Sequence, residues 1–192
     1  MKLRQLKIGE VFELAGYEWV LLEHDVDEDK SLVVTKECIA DMPFDEDNSN
    51  DFRSSTLRKC LNNEFLEELI REGLDEGEIL YTDFDLTDIN CEGDYGFCRD
   101  KIGLLTIDQY RKHKKVLSLN DNWCLITPST DFTDLICVVT LHRSLLMDDA
   151  RKDGYGVRPA LYLKSDINIP VDKETNLEDY SNEELLQELL RR

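Results

Sequence analysis

No two cysteines in this sequence are spaced Cys-x-x-Cys and no two histidines His-x-x-x-His, so the usual ligand spacings of zinc sites are missing. The six cysteines, at positions 38, 60, 91, 98, 124 and 137, read instead as reduced core thiols. No apolar leader follows Met1-Lys2-Leu3-Arg4, which places the protein in a cytoplasm, with neither metal nor cofactor expected. Glycines 93, 96 and 103 miss the spacing of a phosphate-cradling loop. The longest apolar run, Leu135 to Val139, is too short to cross a bilayer. Asp25 to Lys30 begins like a calcium loop but has Lys30 where glycine is needed and Lys36 where the bidentate glutamate belongs. Basic residues are scarce: 23 Lys and Arg stand against 42 Asp and Glu, a net charge of −19. Such a charge repels nucleic acid and anionic membranes and either favours basic protein partners or serves solubility alone, the second being the default.

What remains is a folded body, since 41% hydrophobic residues are enough to build a core. Val11 to Leu22 alternates around Ala15-Gly16 as a hairpin, and Leu32 to Thr35 supplies a third strand rich in β-branched residues. Asp41 to Asp51 is a polar loop. Ser54-Ser55-Thr56 caps a helix whose apolar positions recur from Leu57 to Ile70 until Gly73, with a break expected at Asn62-Asn63. Thr106 and Gln109 have the spacing of a capping box for a second helix, whose end carries Arg111, Lys112, Lys114 and Lys115. Strands follow at Trp123 to Ile126, at Leu135 to Leu141 and at Val157 to Leu163. Pro159 donates no ladder hydrogen bond, so that last strand is expected to lie at an edge or to bulge there. Arg158, between Val157 and Pro159, is expected to reach a carboxylate as a structural ion pair. Trp19 and Trp123 are assigned structural roles with it. The pattern predicts an α+β domain over residues 1–170, with mixed or antiparallel sheets and few helices. An acidic linker and an amphipathic helix, boxed by Ser181 and Glu184, are expected over 171–192.

From Glu72 to Cys98 nine acidic side chains occur without a lysine or arginine: Glu72, Asp75, Glu76, Glu78, Asp83, Asp85, Asp88, Glu92 and Asp94. They are the candidate partner-binding face, because their potential complements a basic groove. Within them, Asp83-Phe84-Asp85-Leu86-Thr87 has the Asp-x-Asp-x-Thr pattern of haloacid-dehalogenase-type phosphotransferases, which Thr106, a lysine near 114 and Asp148-Asp149 would complete. That motif should open a doubly wound parallel sheet, and the surrounding residues do not alternate with helices as such a sheet requires.

Four blocks carry a family resemblance. Ile8-Gly9-Glu10-Val11-Phe12 with Gly16 to Leu22, Ser55 to Lys59 with Leu61 to Leu66, Asp100 to Thr106, and Val157 to Leu163 occur in an order that resembles a domain-of-unknown-function family of bacterial and prophage proteins. The resemblance spans about residues 6 to 164 and implies a C-type-lectin-like fold of the sulfatase-modifying-factor type, without its catalytic cysteines. That family usually carries a Trp-Trp-Leu-Arg-Ser/Thr-Pro block; here Trp123-Cys124-Leu125-Ile126-Thr127-Pro128 lacks the second tryptophan and the arginine. The closing helix is similar to tails of small phage proteins. Residues and resemblance together point to a non-enzymatic protein-binding module, such as a phage-encoded inhibitor of a host nucleic-acid-binding defence protein of the anti-CRISPR kind. A lectin-like carbohydrate or small-molecule binder and the phosphotransferase are the alternatives.

Overall fold

The computed structural model describes residues 1–90, 94–117 and 121–170. The helix and tail expected over 171–192 lie outside them. In chain order the strands are β1 (Val11–Leu14), β2 (Tyr17–Asp25), β3 (Lys30–Thr35) and β4 (Ala40–Asp41). Helical segments α1 (Thr56–Cys60) and α2 (Leu66–Arg71) follow. Then come β5 (Ile79–Leu80), β6 (Thr82–Thr87), β7 (Asp94–Asp100), β8 (Ile102–Gly103) and helix α3 (Ile107–His113). The chain continues through β9 (Trp123–Pro128), β10 (Leu135–Val139), β11 (Leu145–Asp149), β12 (Gly156–Val157) and β13 (Ala160–Lys164).

The mixed α+β architecture is built from mostly antiparallel sheets. One is ordered β1-β2-β3-β13-β5, with β8 also on β13, and the second β11-β10-β9-β12-β4. Within the second, β12 runs parallel to β9 and antiparallel to β4. β6 and β7 form a separate ribbon. Val20, Leu21 and Leu22 are all buried, as are Leu32, Val33 and Val34, because two apolar clusters cover opposite faces of the first sheet. Leu21 and Val33 join the cluster under α1 and α2, and Val20, Leu22 and Val34 join the cluster of Tyr110 and Trp123. A strand covered on both faces reads as an unbroken apolar run, and each such side chain contributes about 1.5–3 kcal/mol.

The residues expected to form one strand from Val157 to Leu163 form two. β12 belongs to the second sheet and β13 to the middle of the first, and the chain changes sheet at Arg158-Pro159. Proline has no N–H to give the ladder, which makes it suited to the crossing point; its carbonyl accepts the Thr35 N–H at 3.0 Å. Arg158 corrects a second expectation, because no described residue gives it a carboxylate partner. Its side chain is fully buried, Nε donates to the Thr35 carbonyl at 2.8 Å, and the guanidinium lies 5.0 Å from the Trp123 ring. Burial pulls its pKa down to about 10. Trp19 and Trp123 are buried as well.

Ser55 caps α1 by accepting the Arg58 N–H at 3.1 Å. No break occurs at Asn62-Asn63. A π-type turn over Leu61–Phe65 joins α1 to α2 instead. Its wide turn frees carbonyls one turn back, which Asn62 and Asn63 fill from their side chains at Arg58 and Lys59. Asn62 also clamps β8, donating to the Ile102 carbonyl at 2.8 Å and accepting its N–H at 3.0 Å.

Candidate functional site

The β6–β7 ribbon has one face for the core and one for solvent. Phe84, Leu86 and Cys98 point inward and are buried; Phe84 packs edge-on to Phe52, and a Cβ at Gly103 would lie 2.6 Å from its ring. The pairing sets Asp83 opposite Arg99 and Asp85 opposite Phe97 on the outward face. Two large aromatics stand exposed there, Phe97 at 67% and Tyr81, just before β6, at 60%. Arg99 reaches both oxygens of Asp83 at 3.2 Å. Lys101 Nζ lies 5.2 Å from the Tyr81 ring and donates to Glu76, at 2.8 Å to the carbonyl and 3.0 Å to the carboxylate.

These contacts change the reading of the acidic stretch. Its cations, Arg99 and Lys101, follow Cys98 on and after β7, and the register brings them back across the ribbon. Glu72 is exposed at the C-cap of α2, with its N–H bonded to Glu68. Asp75 accepts the Gly77 N–H at 2.7 Å, Glu76 pairs with Lys101, and Glu78 is half-buried. Asp83 and Asp85 face solvent, although one Asp85 oxygen also accepts the Thr87 N–H and hydroxyl at 2.9 and 2.6 Å. Asp88 is 3% exposed and does not reach the surface. Burial opposes its charge, but the N–H groups of Thr130 and Asn90 prevail and hold the carboxyl below its usual range. Glu92 lies outside the described residues; Asp94 starts β7 opposite Thr87.

A cleft of about 360 Å³ runs between the ribbon and the start of α3, lined by Asp83, Asp85, Thr106, Asp108, Arg111 and Tyr162 among others. It brings the two aspartates of the Asp-x-Asp-x-Thr pattern together with Thr106. The ribbon carrying them is antiparallel, however, and not the parallel sheet that the phosphotransferase pattern requires. Asp83 is paired with Arg99, and Thr106 caps α3 by accepting the Gln109 N–H at 3.1 Å. Asp148 lines no part of this cleft: it bonds Lys152 and Tyr155, the first-named contact doing most to bring its pKa down to about 2. Among the described residues no three His, Cys, Asp or Glu side chains converge to hold a metal ion, and Cys38, Cys60, Cys98, Cys124 and Cys137 are free. No described helix is long and apolar enough to cross a membrane.

Two of the three histidines, His24 and His113, serve the scaffold. His24 is held between Ser31 and the Leu6 carbonyl, and His142 is exposed. His113, at the end of α3, is 7% exposed, with Nε2 3.4 Å from Glu23. Burial lowers its pKa, and the neighbouring Glu23 only partly offsets that. A histidine held below its unfolded value, about 6.5, contributes stability that is complete above that pH and is lost as pH falls through the folded value. Urea midpoints taken from pH 7.5 down to 5 are therefore expected to fall for the native chain and to fall less for His113→Gln. Equal slopes would contradict this assignment.

No protein-family model matches this chain, and no curated protein or solved structure does either.

Proposed function

We propose that the protein is a non-enzymatic protein-binding module that takes a basic partner on the outward face of the β6–β7 ribbon. One observation carries this reading: Tyr81 and Phe97, both more than half exposed, stand beside and on the β6–β7 strand pair among Asp83, Asp85 and Glu76, of which Asp83 and Glu76 are paired with Arg99 and Lys101. Exposed aromatics cost desolvation-prone apolar surface and are the residues that most often dominate an interface, while surrounding carboxylates set orientation and on-rate. A chain of net charge −19 suits a nucleic-acid-binding groove. The partner class is therefore a host nuclease or effector, with this protein as an inhibitor of the anti-CRISPR kind acting in the host cytoplasm. Five free thiols fit that compartment. The antiparallel sheets with short helices are compatible with the C-type-lectin-like scaffold, on which the ribbon would be a presented surface.

The test is affinity capture from host lysate. A basic protein should be retained at about 0.1 M salt and released towards about 1 M, where the screening length falls from about 10 Å to about 3 Å. Nucleic acid should compete with the chain for it. Asp83→Asn with Asp85→Asn should slow association without shifting the melting temperature, since both side chains are solvent-facing. Retention of nothing, or of a species indifferent to salt, would sink the proposal.

A further inference from the structure

The outward face of the ribbon and the end of α3 belong to one side of the molecule. The cleft between them is bordered by Asp83 and Asp85 from β6 and by Asp108 and Arg111 from α3. Arg111 opens the densest run of cations in a chain of net charge −19: Arg111, Lys112, Lys114 and Lys115. Two of them are satisfied locally, Arg111 by Asp108 at 3.2 Å and Lys112 by Glu23 at 2.7 Å. Lys114 and Lys115 are exposed and meet no carboxylate among the described residues. The chain stays wound past the helix, with the Val116 N–H returning to the His113 carbonyl at 2.9 Å. Lys115 therefore falls one turn beyond Arg111, on the side that borders the cleft.

The ribbon holds the opposite sign. Asp83 and Glu76 are paired with Arg99 and Lys101, but Asp85 has no cation against it among the described residues and accepts only from Thr87. Tyr81 and Phe97 stand exposed beside it. One side of the molecule thus presents a carboxylate and two ammonium groups that do not meet within the chain, together with two uncovered aromatic rings.

A second copy of the chain is the occupant that this side fits. Copies of net charge −19 repel one another as wholes. Exposed charges are screened beyond about 8 Å at physiological ionic strength, so local complementarity decides which sides of two copies can touch. Here the second copy brings lysines for Asp85 and rings for Tyr81 and Phe97. Because both signs lie on the same side, a two-fold axis satisfies both contacts at once and closes the assembly at two. Charges on opposite ends of the molecule would build an open chain instead.

We propose that two copies of this chain pair about a two-fold axis, ribbon to ribbon, with Asp85 of each copy facing Lys114 and Lys115 of the other and with Tyr81 and Phe97 covered between them. The net charge keeps the pair weak, so dilution frees the ribbon. The dimer covers the face assigned above to a basic partner, yet it rests on the charges of this chain alone.

Sedimentation velocity on the purified full chain, over a concentration series at about 0.15 M ionic strength, tests it. The native chain should show a reversible monomer–dimer equilibrium. Lys114→Glu with Lys115→Glu, and separately Asp85→Lys, set like charges across the axis and should each weaken the dimer at least about tenfold. An equimolar mixture of these two variants restores opposite charges at both contacts and should dimerise within about threefold of the native chain. A monomer at every concentration, species larger than a dimer, variants that dimerise like the native chain, or a mixture that stays monomeric would each overturn the proposal. No other protein is present, so this result and the capture from lysate can fail independently.

Discussion

Replacing Asn50 by aspartate should cost the protein about 4 kcal/mol at neutral pH, a large share of the roughly 5–15 kcal/mol a domain has. Asn50 is 1% exposed, and its amide nitrogen donates to the carbonyls of Ser129, Phe132 and Leu135 at 2.7, 3.0 and 2.8 Å. Its amide oxygen accepts the Tyr95 hydroxyl at 3.0 Å, which ties the 129–135 loop to the ribbon. Aspartate has the same shape with no donor, so it sets a carboxylate against three carbonyl oxygens. Asn50→Ala removes the bonds without adding the charge and should cost less, about 2–3 kcal/mol. The new carboxyl would have a folded pKa above its unfolded value. Its penalty is therefore absent below about pH 4 and grows as pH rises through the folded pKa. Urea midpoints of both variants at pH 4 and 7 check this. An aspartate variant within about 1 kcal/mol of the native chain at pH 7 would show that the 129–135 loop does not depend on this amide.

Arg158 gives the second large effect, and its sign depends on what replaces it. Arg158→Ala empties space beside Trp123 and should lose about 2–5 kcal/mol, as large-to-small changes in a core do. Arg158→Met keeps much of the volume and removes a buried charge that no described residue pairs. Exchanges of that kind are neutral or stabilising by about 1–4 kcal/mol. Against this stand the lost bond to Thr35 and the lost stacking on Trp123, about 1 kcal/mol each. The methionine variant should thus melt at or a few degrees above the native chain. A methionine variant as unstable as the alanine variant would mean that the guanidinium stabilises the fold.

Both residues show where the sequence can be read and where it cannot. The Ser55 cap and the Thr106–Gln109 box are local, so their spacing is visible in one turn of chain, and both are present. The β1–β2 hairpin around Ala15-Gly16 is equally local. Asn50 sits in a polar run that reads as an ordinary loop, and its partners lie about eighty residues away. Arg158 lies among strand formers that suggest a continuous strand with an ion pair. Nothing local announces that the chain changes sheets there. The acidic stretch is legible as charge, but its run without a cation ends at Cys98, one residue before Arg99, and the antiparallel register alone brings Arg99 and Lys101 back over Asp83, Glu76 and Tyr81. The alternation of Phe84 and Leu86 against Asp83 and Asp85 was the available signal for a half-buried strand. It was masked by its likeness to a catalytic motif. Asp88, two positions past Leu86, keeps the inward parity but puts a carboxylate there, which accepts the Thr130 hydroxyl.

Hydrogen exchange on the chain, free and loaded with the captured basic partner, tests the central claim most directly. If the ribbon is the binding face, protection on loading should concentrate in residues 81–90 and 94–101, and Tyr81→Ala with Phe97→Ala should weaken the complex at least about thirty-fold, the effect of losing about 2 kcal/mol at a hot spot. Protection confined to another surface, with the double variant binding as tightly as the native chain, would contradict the account.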